Sequence, residues 1–255
     1  MIKKIALAAA LAATASFATW DKFPVLENHK GQAKVGFSYG MPEDKWSTAD
    51  LYAGVRYTVI PNLELGTVLD YRLFTHWDGE DAEADGLNNL PIMVRYQFMP
   101  VMNAFLDVTL PIGADEVVGD DGEIGFHFGV QYSQKFGMID LGSEVGLALE
   151  TAGDDKTTPP WKLNIGAEGD FDIGAPVTPY VGLDLVMELG EYTFDGDNAG
   201  DSHTGDMGIF PYVGVGYAIN QMIALDASIG FGFGNEHLIE NDMDMTIDFN
   251  AKINF

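Results

Sequence analysis

The chain has 255 residues, 47% of them hydrophobic and 12% aromatic, with a net charge of −26 and no cysteine. Such acidity disfavours nucleic acid as a partner, because phosphate would be repelled, and the missing thiols exclude disulfides, thiolate metal sites and cysteine nucleophiles. Disorder, the other outcome of strong acidity, conflicts with the aromatic content and the regular apolar spacing.

The N-terminus has the layout of a secretory signal. Lys3 and Lys4 form a positive region, Ile5 to Ala13 an apolar one, and Ala13-Thr14-Ala15 and Ser16-Phe17-Ala18 offer small-residue cleavage sites. The apolar run falls short of the roughly 20 residues needed to span a bilayer. A signal peptide is therefore expected over residues 1–18. A leader follows over 19–32, where Trp20, Phe23, Val25 and Leu26 give some stickiness. It is expected to rest in the periplasmic mouth of the domain or to be disordered.

From about residue 33 apolar and polar residues alternate with period two, which sends successive side chains to opposite faces of a strand. In the last segment Met243, Met245, Ile247, Phe249, Ala251, Ile253 and Phe255 share one face, and Asp244, Thr246, Asp248, Asn250, Lys252 and Asn254 the other. The same reading predicts twelve strands, near 33–39, 49–59, 63–73, 89–99, 103–112, 122–135, 138–150, 161–172, 177–189, 207–219, 222–234 and 242–255. Pro91, Pro111, Pro179 and Pro211 fall near strand ends by this count.

The predicted connections alternate between short turns (at 60–62, 100–102, 136–137, 173–176 and 220–221) and longer acidic loops (near 40–48, 74–88, 113–121, 151–160, 190–206 and 235–241). Aromatics recur at the short-turn ends: Tyr57, Tyr96, Phe98, Tyr132, Phe171, Tyr217 and Phe255. Tyr39, Tyr71, Trp77 and Trp161 are candidates for a second girdle. A soluble β-sandwich would bury aromatics in its core, but it explains neither the alternating loop lengths nor the girdle. The expected fold is all-β: a transmembrane antiparallel up-and-down barrel over residues 33–255, with both termini periplasmic and short turns beside them.

The alternating ending Phe249, Ala251, Ile253, Phe255 resembles that of bacterial outer-membrane β-barrel proteins. In that class a terminal aromatic serves as the signal read by the barrel-assembly machinery. The resemblance covers the architecture of the whole mature chain and implies the outer membrane of a diderm bacterium, with membrane lipid as a partner. More narrowly, the chain is similar to twelve-stranded outer-membrane transporters linked to uptake of small organic compounds, which implies a small-molecule solute.

If apolar residues face lipid, the polar set lines a lumen. The expected pore-lining residues are Arg56, Glu64, Asp70, Arg72, Arg95, Asp107, His127, Asp140, Glu144, Lys162, Glu168, Asp184, Asp226 and Asp248. Glu150, Asp170, Glu188, Asp244, Lys34 and Lys252 share their face. Carboxylates outnumber bases, which favours cations in a wet pore. Twelve strands lie between small filled barrels and wide porins, so an open pore and a lumen filled by paired charges are both admissible.

Other chemistry is thinly supported. Asp201-Ser202-His203 and His76 with Asp78 place Asp and His on loops, as outer-membrane aspartyl-type proteases do, but those barrels have ten strands. His127-Phe128-Gly129 lacks the serine of the His-x-Ser pair of twelve-stranded phospholipases. Asp195 to Asp206 has acidic spacing like a calcium loop but ends in Asp where Glu closes an EF-hand. No catalytic residue, metal site or cofactor is assigned, and the oligomeric state is open. The expected function is a channel or transporter for small solutes, preferring cations or neutral molecules. The alternatives are a structural or surface-interaction barrel without an open pore, and an outer-rim hydrolase.

Overall fold

A computed structural model describes residues 22–42, 45–119, 122–154, 156–199, 203–235, 238–239 and 244–255. The expected signal peptide lies outside the described residues. Twelve long strands are present: β1 Gly31–Met41, β2 Trp46–Ile60, β3 Leu63–Trp77, β4 Leu90–Met99, β5 Met102–Leu110, β6 Gly125–Phe136, β7 Ile139–Glu150, β8 Lys162–Phe171, β9 Val177–Glu188, β10 Met207–Ala218, β11 Ile223–Gly234 and β12 Asp244–Asn254. Each pairs antiparallel with its neighbours in sequence, and β12 pairs with β1, so the sheet closes into a barrel. Among the described residues each of the twelve long strands has a partner on both sides, which is the condition for a sheet in hydrocarbon.

Side-chain polarity confirms which solvent the outside faces. Outward apolar residues such as Val35, Leu69, Val213 and Phe249 are 50–55% exposed, and no second sheet covers them. Inward residues are polar and covered: Lys34, Glu168 and Asp248 are at most 2% exposed. This is a soluble protein turned inside out, and it rules out the β-sandwich.

Closure is completed at the short-turn end. The Gly31 N–H donates to the Phe255 carbonyl at 2.8 Å, and the Phe255 N–H donates back to Gly31 at 2.9 Å. The Phe255 ring stacks on Tyr57 of β2, with centroids 6.4 Å apart and planes 11° from parallel. The terminal residue thus ties three strands together. Lys135 on the same rim bonds Asp172 at 2.8 Å. That ammonium, aided by the Gly174 N–H, holds the Asp172 carboxyl below its usual range.

Several expectations need correction. β2 and β3 run further than their patterning suggests, so the first connection shrinks to residues 42–45 and His76 belongs to a strand, not a loop. The pairing of these two strands shifts register at Ala49/Asp50 and Thr58/Ile60, and such irregularities interrupt strict alternation. Pro211 sits well inside β10. The β10–β11 ladder pairs Ile209 with Phe233, skips Phe210 and Pro211, and resumes at Tyr212–Gly230, as suits a residue with no N–H to donate. The barrel begins at Gly31, two residues inside the expected leader.

The longer connections carry structure of their own. Glu80–Asp81 pairs back onto the end of β3, and Asp115–Val118 form one helical turn. Thr157–Thr158, Thr193–Phe194 and Asp197–Asn198 build a small sheet joining the β7–β8 and β9–β10 loops. Its tip, Asp195-Gly196, has positive φ at both residues, so this acidic run folds as a hairpin.

Replacing Phe255 by Ala removes the stacking on Tyr57. Unfolding of the lipid-reconstituted barrel in urea should show a stability loss of about 1 kcal/mol, the worth of an aromatic pair.

Candidate functional site: the barrel lumen

The lumen has two different walls. Along β2 to β7 it carries ion pairs and apolar side chains. Arg72 Nε lies 2.5 Å from Asp50 Oδ1, and Arg72 Nη1 reaches Thr75 Oγ1 at 3.4 Å. Arg56 stands 3.6 Å from Glu64. Arg95 grips Asp107 with both terminal nitrogens and lies over the Phe105 ring, 5.1 Å from its centroid. His127 sits edge-on to Phe105, 3.8 Å from Asp107 and 3.6 Å from Glu144, while Gln131 donates to Glu144 at 2.7 Å. Tyr52, Val68 and Met93 form a small buried apolar cluster between these charges.

The other wall is built on a repeated device. Tyr52, Tyr180 and Tyr212 each reach across a glycine of the adjoining strand to a carboxylate one strand further on. Tyr52 of β2 crosses Gly36 of β1 and donates to Asp248 of β12 at 2.7 Å. Tyr180 of β9 crosses Gly214 of β10 and donates to Asp226 of β11 at 2.9 Å. Tyr212 of β10 crosses Gly182 of β9 and donates to Glu168 of β8 at 2.7 Å. The last two are reciprocal, because Tyr180 pairs with Gly214 and Gly182 with Tyr212 in the antiparallel register. A Cβ on any of these glycines would overlap the ring above it. The rings therefore lie against the wall instead of projecting across the lumen. Hydrogen bonds to a charged acceptor contribute about 1.5–3 kcal/mol each.

These carboxylates are shared between neutral donors and nearby lysines. Asp226 also accepts from Asn250 at 3.3 Å and stands 3.6 Å from Lys252, and Asn250 donates to Asp248 at 2.9 Å. Side chains of His127, Asp184, Asp107, Lys252 and Glu144 keep 13–28% of their surface open, so they border the water-accessible part of the lumen.

Both ends are narrowed by chain from outside the strands. At the short-turn end the described part of the leader, residues 22–30, enters the mouth of the barrel, while residues 19–21 lie outside the described residues. Lys22 is 3% exposed. Its ammonium lies 2.5 Å from Asp184 and donates to the Tyr212 hydroxyl at 3.0 Å. The Leu26 N–H donates to Glu64 at 2.9 Å, and Asn103 donates to the Phe23 carbonyl at 3.2 Å. At the long-loop end Ile239, 1% exposed, packs over Gly232 and Leu238 over Gly208.

Most sequence-derived lining residues point inward as their parity demands. Asp140 is the least enclosed: it sits at the short-turn rim, 43% exposed and 3.3 Å from Lys135. Asp70 is buried on the inner face of β3, and Lys162 pairs across the ladder with Glu188 near the opposite rim. Parity had not been extended to Asp50, which lay beside a supposed loop. Two of the tyrosine straps did leave a signal, the triplets Tyr180-Val181-Gly182 and Tyr212-Val213-Gly214, whereas the glycine under Tyr52 is Gly36, on another strand. Nothing in the sequence pointed to Lys22.

No family model matches the chain, and no curated protein does. Solved structures are similar in fold. The COG4313 outer membrane channel from Pseudomonas putida F1 is 13% identical, with a TM-score of 0.71, over 92% of this chain and 98% of that one. The NanC porin is 8% identical, with a TM-score of 0.55, over 87% of this chain and 98% of that one. At these identities the likeness is one of fold. The architecture is that of the outer-membrane β-barrel class.

Gly182→Val, which drives a side chain into the Tyr212 ring, should destabilise the barrel by about 1–3 kcal/mol, the usual cost of overpacking. Gly216→Ala is the control. Its nearest neighbour would stand 3.7 Å away, in ordinary contact, so its urea midpoint should stay close to wild type.

Proposed function

We propose that the chain is a channel of the outer membrane of a diderm bacterium, passing small solutes and preferring cations or neutral molecules. The observation that carries this reading is a closed, lipid-facing barrel whose tyrosine rings lie flat on the wall while His127, Asp107, Glu144 and Asp184 still touch solvent. The fold shared with an outer membrane channel of Pseudomonas putida F1 supports it. In this reading the short turns and both termini are periplasmic, and the assembly machinery reads Phe249, Ile253 and Phe255. The cation preference follows from the surplus of carboxylates over bases on the inward face of the barrel.

A barrel without an open pore is the second reading. It is favoured by Lys22 and Ile239, each buried inside opposite ends of the lumen. For the hydrolase alternative, His76 belongs to a strand and not to a loop, and Asp201, paired with His203 in the sequence reading, lies outside the described residues.

Single-channel recording in planar bilayers decides between the first two. The wild type should conduct and prefer potassium over chloride, and Glu144→Gln should weaken that preference. Lys22→Ala, which releases the leader from Asp184, should raise conductance several-fold. Silence from both wild type and Lys22→Ala, with the barrel inserted and folded, would end the channel reading.

A further inference from the structure

At the long-loop rim, on the inward face, three side chains meet. Glu188 is the last residue of β9 and is 1% exposed. His203 and Asp206 come from the end of the β9–β10 loop, with 29% and 27% of their side chains exposed. Ligand atoms from the three lie within 4.8 Å of one another. We propose that Glu188, His203 and Asp206 bind a divalent first-row transition-metal ion, of which zinc is the representative.

The backbone builds this site. The Glu188 N–H donates to the Asp206 carbonyl at 3.0 Å, and the Gly205 N–H donates to the Glu188 carbonyl at 2.9 Å. The Asp206 N–H returns to the His203 carbonyl at 2.9 Å, closing a turn in which Gly205 takes φ +93°. Thr204 fastens the same turn to the Gly190 carbonyl at 3.0 Å. The loop is thus clamped to the strand that carries the third ligand.

The His203–Asp206 spacing suits a small ion, and Glu188 needs at most a small rotamer adjustment to complete the set. His203 Nδ1 and Asp206 Oδ2 are 3.1 Å apart. Two ligands bound at about 2.0–2.2 Å from one ion stand roughly 3.0–3.6 Å from each other. The donor set selects the ion: calcium and magnesium favour all-oxygen shells, whereas an imidazole beside carboxylates suits zinc and its neighbours. Lys162, opposite Glu188 on β8, is the one base paired with the site, so two carboxylates against one ammonium leave it net negative. The Tyr192 ring stands edge-on to His203 at 6.4 Å and shields one side. A bound ion would pin the root of the 189–206 loop at the mouth. This inference does not depend on whether the barrel conducts.

The test uses untagged full-length protein in micelles, stripped with EDTA and titrated with zinc by calorimetry, with cobalt absorption as a second readout. One ion per chain should bind. His203→Ala and Glu188→Gln should each weaken binding about tenfold or more, and zinc should slow amide exchange at residues 203–206 in wild type only. His203 lies on a loop, so its variant should keep the heat-modifiable gel shift of the folded barrel. Absence of saturable binding, or binding untouched by His203→Ala and therefore owed to another histidine, would overturn the proposal.

Discussion

Everything in this molecule depends on the hydrogen-bonded seam between β1 and β12. A twelve-stranded sheet in hydrocarbon has no water to satisfy an edge, so either its first and last strands meet or the fold is not viable there. Ten consecutive residue pairs from Gln32–Asn254 to Met41–Met245 form that seam. The reciprocal bonds of Gly31 and Phe255 finish it at the rim. Phe255 faces outward and also stacks on Tyr57, so one residue serves the backbone, the neighbouring strand and the lipid boundary.

Closure dictates the interior. Once every apolar position is committed to the outside, each inward polar group must find a partner within the lumen, because an unsatisfied buried group costs as much as a lost hydrogen bond. The chain meets this with two solutions of different electrostatic consequence. Arginine–carboxylate pairs such as Arg72–Asp50 and Arg95–Asp107 cancel charge locally, and buried pairs of this kind are nearly neutral for stability. The tyrosine straps satisfy carboxylates without cancelling them. They also depend on glycine at the crossing point, which keeps the ring on the wall. The straps are concentrated on β8 to β12 together with β1 and β2, where lysines rather than arginines stand beside the carboxylates, Lys22 at Asp184 and Lys252 at Asp226.

The architecture was legible because a single rule, period two, operates over the whole barrel. It gives the strand count, the inward set and the alternation of turns and loops. It failed where local geometry breaks the period: the register shifts of β2–β3 hid the true ends of both strands, and with them Asp50 and His76. Proline was read as a marker of strand ends, yet Pro211 sits mid-strand because only one pairing partner is inconvenienced. Two straps are written as Tyr-x-Gly triplets, though a triplet means nothing until the register sets Tyr180 opposite Gly214. Lys22 and the Glu188–His203–Asp206 cluster join residues far apart in sequence through loop and leader paths, which carry no periodicity to read.

The two mouths are therefore where this barrel is individual. Its wall follows from rules common to any sheet in lipid, but the plugs do not. At one end a flexible-stemmed ammonium reaches Asp184 and the Tyr212 strap, so the leader is anchored to the same tyrosine that holds Glu168. The leader and that strap thus share one hydroxyl. At the other end, backbone bonds tie the 203–206 turn to the terminus of β9, the strand that also carries Gly182 and Asp184. β9 thus touches the leader midway along its length and the loop at its tip. Coupling between the mouths needs no wire through the lumen. It needs only that β9 keep its register against β10, which the reciprocal Tyr180–Gly214 and Tyr212–Gly182 contacts enforce.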